Sequence, residues 1–166
     1  MADDATPRTD ADLMLLLSQA GHALTTELTA GLEGIGISPR AHCVLSKAMT
    51  GGLTQGRLAE LCNLDRTTMV VTLDELEAAG LAERRPAPGD RRARIIAVTE
   101  SGKGKVAEAQ EIVNGIYDDV LGALPARERV AFVAALDRLV TGPLSAPAAC
   151  ERPVRRRSSR SAIVVT

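Results

Sequence analysis

The sequence predicts a mostly α-helical fold with one small β-hairpin. Apolar residues recur at steps of three and four along most of the chain, which is the spacing of amphipathic helices. Two short helices, each with its own capping residue, follow one another closely between residues 54 and 80. A β-branched stretch with a Pro- and Gly-rich turn comes directly after them. Together these observations predict helices on both sides of a single hairpin.

The first two helices are separated by a glycine-rich segment. The first is predicted to run from Leu13 to Gly31–Gly36, where glycines disfavour its continuation. Ser38 and Pro39 then begin the second helix, because Ser is a good N-cap and Pro suits the first helical position. The glycines at 51–52 end it. The apolar stripe of the first helix comprises Leu13, Leu16, Leu17, Ala20, Leu24 and Leu28.

Two capped short helices come next. Thr54 is predicted to cap the first of them, and Asp65 caps the second after a tight connection. Gly80 stands where a C-terminal cap glycine is expected. A pair of this kind is typical of a helix-turn-helix. The residues expected to face the core are Leu58, Leu61 and Cys62 in the first helix and Met69, Leu73 and Leu76 in the second.

The hairpin follows the second short helix. Its strands are predicted at Leu81–Arg85 and Ala93–Thr99, around a loop at Pro86–Asp90. Thr99 also caps a long amphipathic helix, and Pro125 opens the last helix. The final residues are rich in Pro, Ser and Arg, which is typical of a disordered tail.

Positive charge is concentrated in two places. The chain has a formal net charge of −1, yet Arg84–Arg94 holds five Arg and one Asp. Glu151–Arg160 is a second basic cluster of the same composition, with one Glu in place of the Asp. Arginines concentrated at a hairpin that follows a helix-turn-helix indicate a surface that binds polyanions.

The segment Leu58–Gly104 resembles the winged helix-turn-helix of MarR-type bacterial transcription regulators. The shared features are LDRTT at 64–68, D-x-R at 90–92 and T-x-x-G at 99–102. The order of helices before and after also fits, so that the resemblance extends over roughly 13–140. It implies a winged helix-turn-helix fold with a helical dimerisation region, acting as a homodimer on double-stranded DNA.

The second short helix, Asp65–Ala79, is predicted to enter the major groove. Arg66 can reach a guanine edge or a phosphate, and the hydroxyls of Thr67 and Thr68 can bond to phosphate or base. The methyl groups of Val70 and Val71 can pack on a thymine methyl. The family often has a polar or basic residue where Val71 stands, so this chain departs from its pattern there.

The hairpin is predicted to follow the DNA backbone as a wing. By the resemblance, Arg92 is the residue inserted into the minor groove, where a guanidinium meets strong negative potential. Asp90 is expected to hold the turn, and Arg91 and Arg94 to bind phosphates. A solvated hairpin without a nucleic-acid partner is the alternative interpretation.

The resemblance also predicts a division of the chain. Residues 37–100 form the DNA-binding domain, and residues 11–36 and 101–142 form the dimerisation region. Residues 1–10 are expected to be flexible, and 143–166 to be a disordered basic tail that either solubilises the protein or adds affinity for DNA. The implied function is that of a homodimeric repressor on a palindromic operator, released by a small anionic aromatic or lipophilic ligand. His42 is a candidate ligand-binding residue, and a protein-interaction module with the same fold is the alternative.

Other chemistries have little support in the sequence. There are two His and no nucleophile motif, so neither catalysis nor a cofactor is expected. The adjacent His42 and Cys43 point to different faces of their helix, which disfavours a metal site. Cys43 and Cys62 are expected to be small core residues. Without a signal-peptide pattern or an apolar run near the ~20 residues that span a membrane, a cytoplasmic location is expected.

Overall fold

The computed structural model describes residues 12–88 and 90–146, with the backbone alone for 90–93. It divides into two compact units, residues 1–121 and 122–166. Helices α1 to α5 and the hairpin belong to the first unit, apart from the last residue of α5, and α6 belongs to the second. The elements are α1 (Leu13–Glu33), α2 (Pro39–Ala48), α3 (Gln55–Leu61), α4 (Arg66–Ala78), β1 (Ala82–Ala87), β2 (Asp90–Val98), α5 (Glu100–Gly122) and α6 (Ala126–Thr141).

The predicted mostly α fold with one hairpin is confirmed. The predicted N-caps are confirmed too, because the side chains of Ser38, Thr54 and Asp65 each accept a hydrogen bond from the backbone N–H three residues later. Asp12 caps α1 in the same way, a cap that the sequence interpretation did not include. Local capping chemistry therefore sets where most helices of the first unit begin.

The core of the first unit lies under α2, α3 and α4. The predicted core residues Leu58, Met69, Leu73 and Leu76 are buried, but Leu61 is 43% exposed. Ala41, Val44, Leu45 and Ala48 of α2, Ile96 of β2, and Ala109 and Val113 of α5 complete much of this core.

A close junction joins α4, the hairpin and α5. The Thr99 hydroxyl donates to the Gly80 carbonyl at 2.7 Å and accepts from the Gly102 N–H at 3.0 Å. Gly80 has φ +69°, a conformation that favours glycine and ends α4. A Cβ at Gly102 would overlap the carbonyl oxygen of Leu81. The predicted roles of Gly80 and Thr99 are confirmed, and the hairpin is anchored at its base.

The hairpin is longer than predicted. Both strands extend into the stretch expected to be loop, so that Pro86 lies within β1 and Asp90 begins β2. The pairing register shifts between Pro86 and Ala87, and proline is tolerated in strands at edges and at such irregularities. At the base, the Ile96 N–H donates to the Leu53 carbonyl at 2.9 Å, which ties β2 to the residues before α3.

Helix α1 ends at Glu33, within the glycine-rich segment that was predicted to end it, and Gly31 lies inside the helix. A Cβ at Gly31 would come within 2.7 Å of Cδ1 of Ile116. Gly31 therefore allows α1 to approach α5 closely, and this packing outweighs the low helix propensity of glycine. The helix ends with Gly34 as its C-cap.

Each unit exposes apolar side chains on its own helices. In the first unit, the exposed residues include Leu13, Met14, Leu15, Leu16 and Leu17 of α1 and Tyr117 and Val120 of α5. In the second unit, α6 has no buried residue and exposes Val130, Phe132, Val133, Leu139 and Val140. Within 12–88 and 90–146, no helix has the length and apolar character needed to cross a membrane.

Candidate nucleic-acid interface

Helix α4 presents a polar and apolar surface opposite the core. One side of the helix packs against the core through Met69, Leu73 and Leu76. Thr72 lies on the same side, is 1% exposed, and donates a hydrogen bond from its hydroxyl to the Thr68 carbonyl. The other side remains exposed. It carries Arg66, Thr67, Val70 and Val71, as the sequence predicted, with Val70 36% and Val71 48% exposed.

Thr68 is placed differently from Thr67. Its hydroxyl donates to Oδ2 of Asp65 at 2.7 Å, and its backbone N–H donates to Oδ1 of the same carboxylate at 2.9 Å. Thr68 is half-buried, whereas Thr67 is exposed. The Thr68 hydroxyl thus serves the start of α4, which leaves Thr67 as the more accessible hydroxyl on this surface.

Arg84 joins the hairpin to α4. Its backbone N–H donates to Oε1 of Glu77 at 2.8 Å, and its guanidinium contacts both Glu77 and Oδ1 of Asp74, the latter at 2.8 Å. Sequence reasoning missed this anchor and counted Arg84 with the basic hairpin. Asp74 and Glu77 stand three residues apart and share one face of α4, a signal that predicts a cationic partner beside the helix.

Two arginines of the hairpin bind carboxylates of this chain. Arg84 is paired with two carboxylates of α4, and Arg85 forms an ion pair with Glu83. Arg94 is exposed on β2 and has an interaction of its own. The backbone of β2 includes Asp90, Arg91 and Arg92, whose side chains lie outside the described residues, as does the basic tail from residue 147 onward.

A shallow cleft of about 450 Å³ lies beside Arg66, between α3 and α4. Gln55, Gly56 and Ala59 of α3 form one wall, and Arg66 and Met69 of α4 form the other. The cleft brings amide and guanidinium groups together on the surface that also carries Thr67. Such donors can bind phosphate oxygens or base edges.

His42 lies away from this surface. It is buried on α2, and its Nδ1 is 3.4 Å from the Ser46 hydroxyl. Burial lowers the pKa of His42 below its ordinary value of 6.5, against a smaller opposing effect of its hydrogen bond to Gln110 of α5. His42 is therefore held neutral between α2 and α5, and it does not line the cleft beside Arg66.

Among the residues that the structure describes, no cluster of three or more His, Cys, Asp or Glu is arranged to hold a metal ion. Cys43 and Cys62 are both free and half-buried rather than fully within the core.

Comparison with known proteins finds a family model and solved structures that are similar to this chain. The model of the MarR family, of the type MarR_2, matches residues 35–93, which include α2, α3, α4 and most of the hairpin. The crystal structure of CouR from Rhodococcus jostii RHA1 bound to p-coumaroyl-CoA is 28% identical, with TM-score 0.70, and the match covers 79% of this chain and 95% of CouR.

Two further solved structures match over a similar length. A MarR-family transcriptional regulator from Rhodococcus sp. RHA1 is 27% identical, with TM-score 0.73, 79% of this chain covered and 96% of the other. The transcriptional repressor CouR bound to a 23-mer DNA duplex is 24% identical, with TM-score 0.70, 78% of this chain covered and 92% of the other.

Proposed function

Since the chain belongs to the MarR family of transcriptional regulators, we propose that it is a homodimeric repressor that binds a palindromic DNA operator and is released by a small ligand. It acts by binding alone, in the cytoplasm, and not by catalysis. The observation that carries the proposal is that the exposed face of α4 is joined to the basic hairpin. Helix α4 exposes Arg66, Thr67, Val70 and Val71, and Arg84 ties that helix to an arginine-rich hairpin.

In this proposal α4 lies in the major groove. Arg66 contacts a guanine edge or a phosphate, and Thr67 bonds to phosphate or base. Thr68 contributes mainly through the cap of α4, since its hydroxyl already donates to Asp65. Val70 and Val71 supply apolar contacts that favour a thymine methyl over a cytosine.

The hairpin lies along the adjacent backbone and minor groove. Arg92 enters the minor groove, Arg91 and Arg94 bind phosphates, and Asp90 holds the turn. The Arg84 anchor supports this arrangement because it fixes the base of the hairpin against α4. A rigid connection of this kind lowers the entropy that is lost when both elements bind one duplex.

The exposed apolar residues support a dimer. Five consecutive residues, Leu13–Leu17, are exposed at the start of α1, and α6 exposes apolar residues along its length. Surfaces of this kind mark sites of association. A two-fold dimer presents two copies of α4 to half-sites about one helical turn, roughly 34 Å, apart. The dimerisation region is proposed at residues 11–36 and 101–142, and the DNA-binding domain at 37–100.

The proposed ligand is a small anionic aromatic or lipophilic compound. CouR, which shares the fold and 28% identity, is bound to p-coumaroyl-CoA, an aromatic acyl thioester that carries phosphates. A ligand that binds better to one arrangement of the dimer than to another shifts the population away from the DNA-binding one. His42, buried between α2 and α5, is the proposed contact from this chain.

Selection of bound duplexes from a random DNA pool with the purified protein tests the proposal. We expect an inverted repeat, and we expect Arg66→Ala to lose enrichment of that repeat while the protein remains folded. A matched control is Arg40→Ala, an exposed position in α2 that is neither among the proposed DNA contacts nor in the proposed dimerisation region. Recovery of no preferred sequence would favour the protein-interaction module instead.

A further inference from the structure

One residue of the shallow cleft beside Arg66 is a glycine that the fold does not require. Gly56 is the second residue of α3, is exposed, and does not have a positive φ. A Cβ added there would meet no atom of the described residues within 4 Å, so packing does not exclude a side chain. Glycine is a poorer helix former than alanine, and α3 has only seven residues. The stability of α3 would therefore favour a larger residue at this position.

The other residues of the cleft have the chemistry to bind a phosphate and its sugar. Gln55 lies on the same wall as Gly56, and Arg66 lies on the opposite wall. Their amide and guanidinium groups are hydrogen-bond donors, and donors of both kinds bind phosphate oxygens of DNA. Ala59 and Met69 line the cleft with apolar atoms, on which a deoxyribose can pack. Open space beside a glycine is not a site in itself, but here it adjoins two convergent donors.

Both donors of the cleft are available to a ligand. Among the described residues, neither the Gln55 nor the Arg66 side chain has a hydrogen-bond or ion-pair partner. Arg57 of α3, in contrast, binds the Glu60 carboxylate at 2.7 Å. The guanidinium of Arg66 therefore keeps its full positive charge beside the cleft, and binding a phosphate there requires no ion pair of the protein to be broken.

We propose that this cleft holds one phosphodiester of the DNA backbone, with Gln55 and Arg66 as donors to its oxygens, and that Gly56 allows the backbone to approach α3 closely. The inference rests on the proposed function, and it assigns Arg66 to a phosphate rather than to a guanine edge. It also adds α3 to the surface that binds the duplex. A phosphate contact of this kind fixes the position of α4 in the groove and carries no sequence information itself.

Substitutions at Gly56 should separate stability from DNA binding. Gly56→Ala and Gly56→Leu should leave the melting temperature unchanged or raise it, because both new residues are better helix formers than glycine. Affinity for the selected duplex, measured by fluorescence anisotropy, should fall about tenfold or more for Gly56→Leu and less for Gly56→Ala, because the added atoms occupy the space of the DNA backbone. A lower melting temperature in both variants, or an unchanged affinity of Gly56→Leu, would overturn the role of Gly56.

The salt dependence of binding tests the two donors. Arg66→Ala should make the slope of log affinity against log salt shallower by about two, one for each subunit of the dimer, because a cationic contact to phosphate is lost. Gln55→Ala removes no charge and should lower affinity by about tenfold with the slope unchanged. Arg40→Ala, at an exposed position of α2 that does not line the cleft, is the control and should leave the slope close to that of the unchanged protein. An unchanged slope in Arg66→Ala, or an unchanged affinity in Gln55→Ala, would overturn the proposal.

Single methylphosphonates in the selected duplex identify the phosphate. Each of these neutral groups is placed in turn along a half-site, and binding of the unchanged protein is compared with that of Gln55→Ala. At one position the substitution should cost markedly less affinity than it does on the unmodified duplex, because the two changes affect the same contact. Additive losses at every position would overturn the proposal. Failure of the unchanged protein to bind any duplex would refute the proposed function itself, whereas binding that the cleft variants leave unchanged would refute this inference alone.

Discussion

The Glu77 carboxylate accepts a hydrogen bond from the Arg84 backbone N–H at 2.8 Å and also binds the guanidinium of the same residue. This relationship joins the first residues of β1 to the last turns of α4. It assigns one arginine of the basic hairpin to the interior of the winged helix rather than to a partner. The hairpin and α4 are therefore held in one arrangement, and a substitution at their junction should alter the position of both.

Loss of the Arg84 anchor should destabilise the protein. In Arg84→Ala, the half-buried Glu77 loses the guanidinium that it binds, which should lower the free energy of unfolding by about 1–3 kcal/mol in urea denaturation. Arg85→Ala is the matched control, since Arg85 is 60% exposed and its ion pair with Glu83 should contribute within about 0.5 kcal/mol. Equal losses in both variants would contradict the assigned role of Arg84.

Two glycines of α5 should respond oppositely to the same substitution. Gly102→Ala forces a methyl group into the carbonyl of Leu81, which should cost about 1–3 kcal/mol of stability. Gly104→Ala meets no atom within 4 Å and lies in a helix, so it should stabilise by up to about 1 kcal/mol. Thermal or urea unfolding of the two variants measures both signs. A harmless Gly102→Ala would show that the junction around Thr99 is looser than described.

The pH dependence of stability should report on His42. Because burial lowers its pKa in the folded state, the unfolded chain binds a proton that the folded chain does not. Stability from this group is complete above its ordinary pKa of 6.5 and is lost as pH falls toward the lowered value. Unfolding measured between about pH 8 and pH 5 should show this loss, and His42→Gln should remove part of it. A His42→Gln profile identical to that of the unchanged protein would contradict this role of His42.

Arg92 should contribute to DNA binding without contributing to folding. We expect Arg92→Ala to weaken binding to the selected duplex by about 1–3 kcal/mol in a gel-shift assay, because it removes a guanidinium from the minor groove. The molecular mass in solution should stay that of a dimer. Affinity equal to that of the unchanged protein would refute the placement of the hairpin tip in the minor groove.

Local chemistry explains which parts of the fold could be predicted from the sequence. The caps at Thr54, Asp65 and Thr99 depend on a side chain and a backbone N–H three residues away, so they can be identified without tertiary structure. The continuation of α1 through Gly31 depends on Ile116, which lies far along the chain. The extension of the hairpin through Pro86 depends on a register shift, which no propensity encodes.

The candidate site, like the fold, could be predicted from the sequence only in part. The exposure of Arg66, Thr67, Val70 and Val71 follows from the helical period once Met69, Leu73 and Leu76 are assigned to the core. Their contact with DNA stays a prediction, as do the roles of Asp90, Arg91, Arg92 and Arg94. The Arg84 anchor was missed because net charge counts an arginine equally whether it faces solvent or a carboxylate.

The measurement that tests the central claim most directly is the affinity of the purified protein for its selected duplex as a function of salt. If α4 and the hairpin bind phosphates in two symmetric half-sites, affinity should fall by about a thousandfold or more between roughly 50 and 200 mM salt, linearly in a double-logarithmic plot. No binding to any duplex at the lower salt concentration, or an affinity that does not change with salt, would contradict the account.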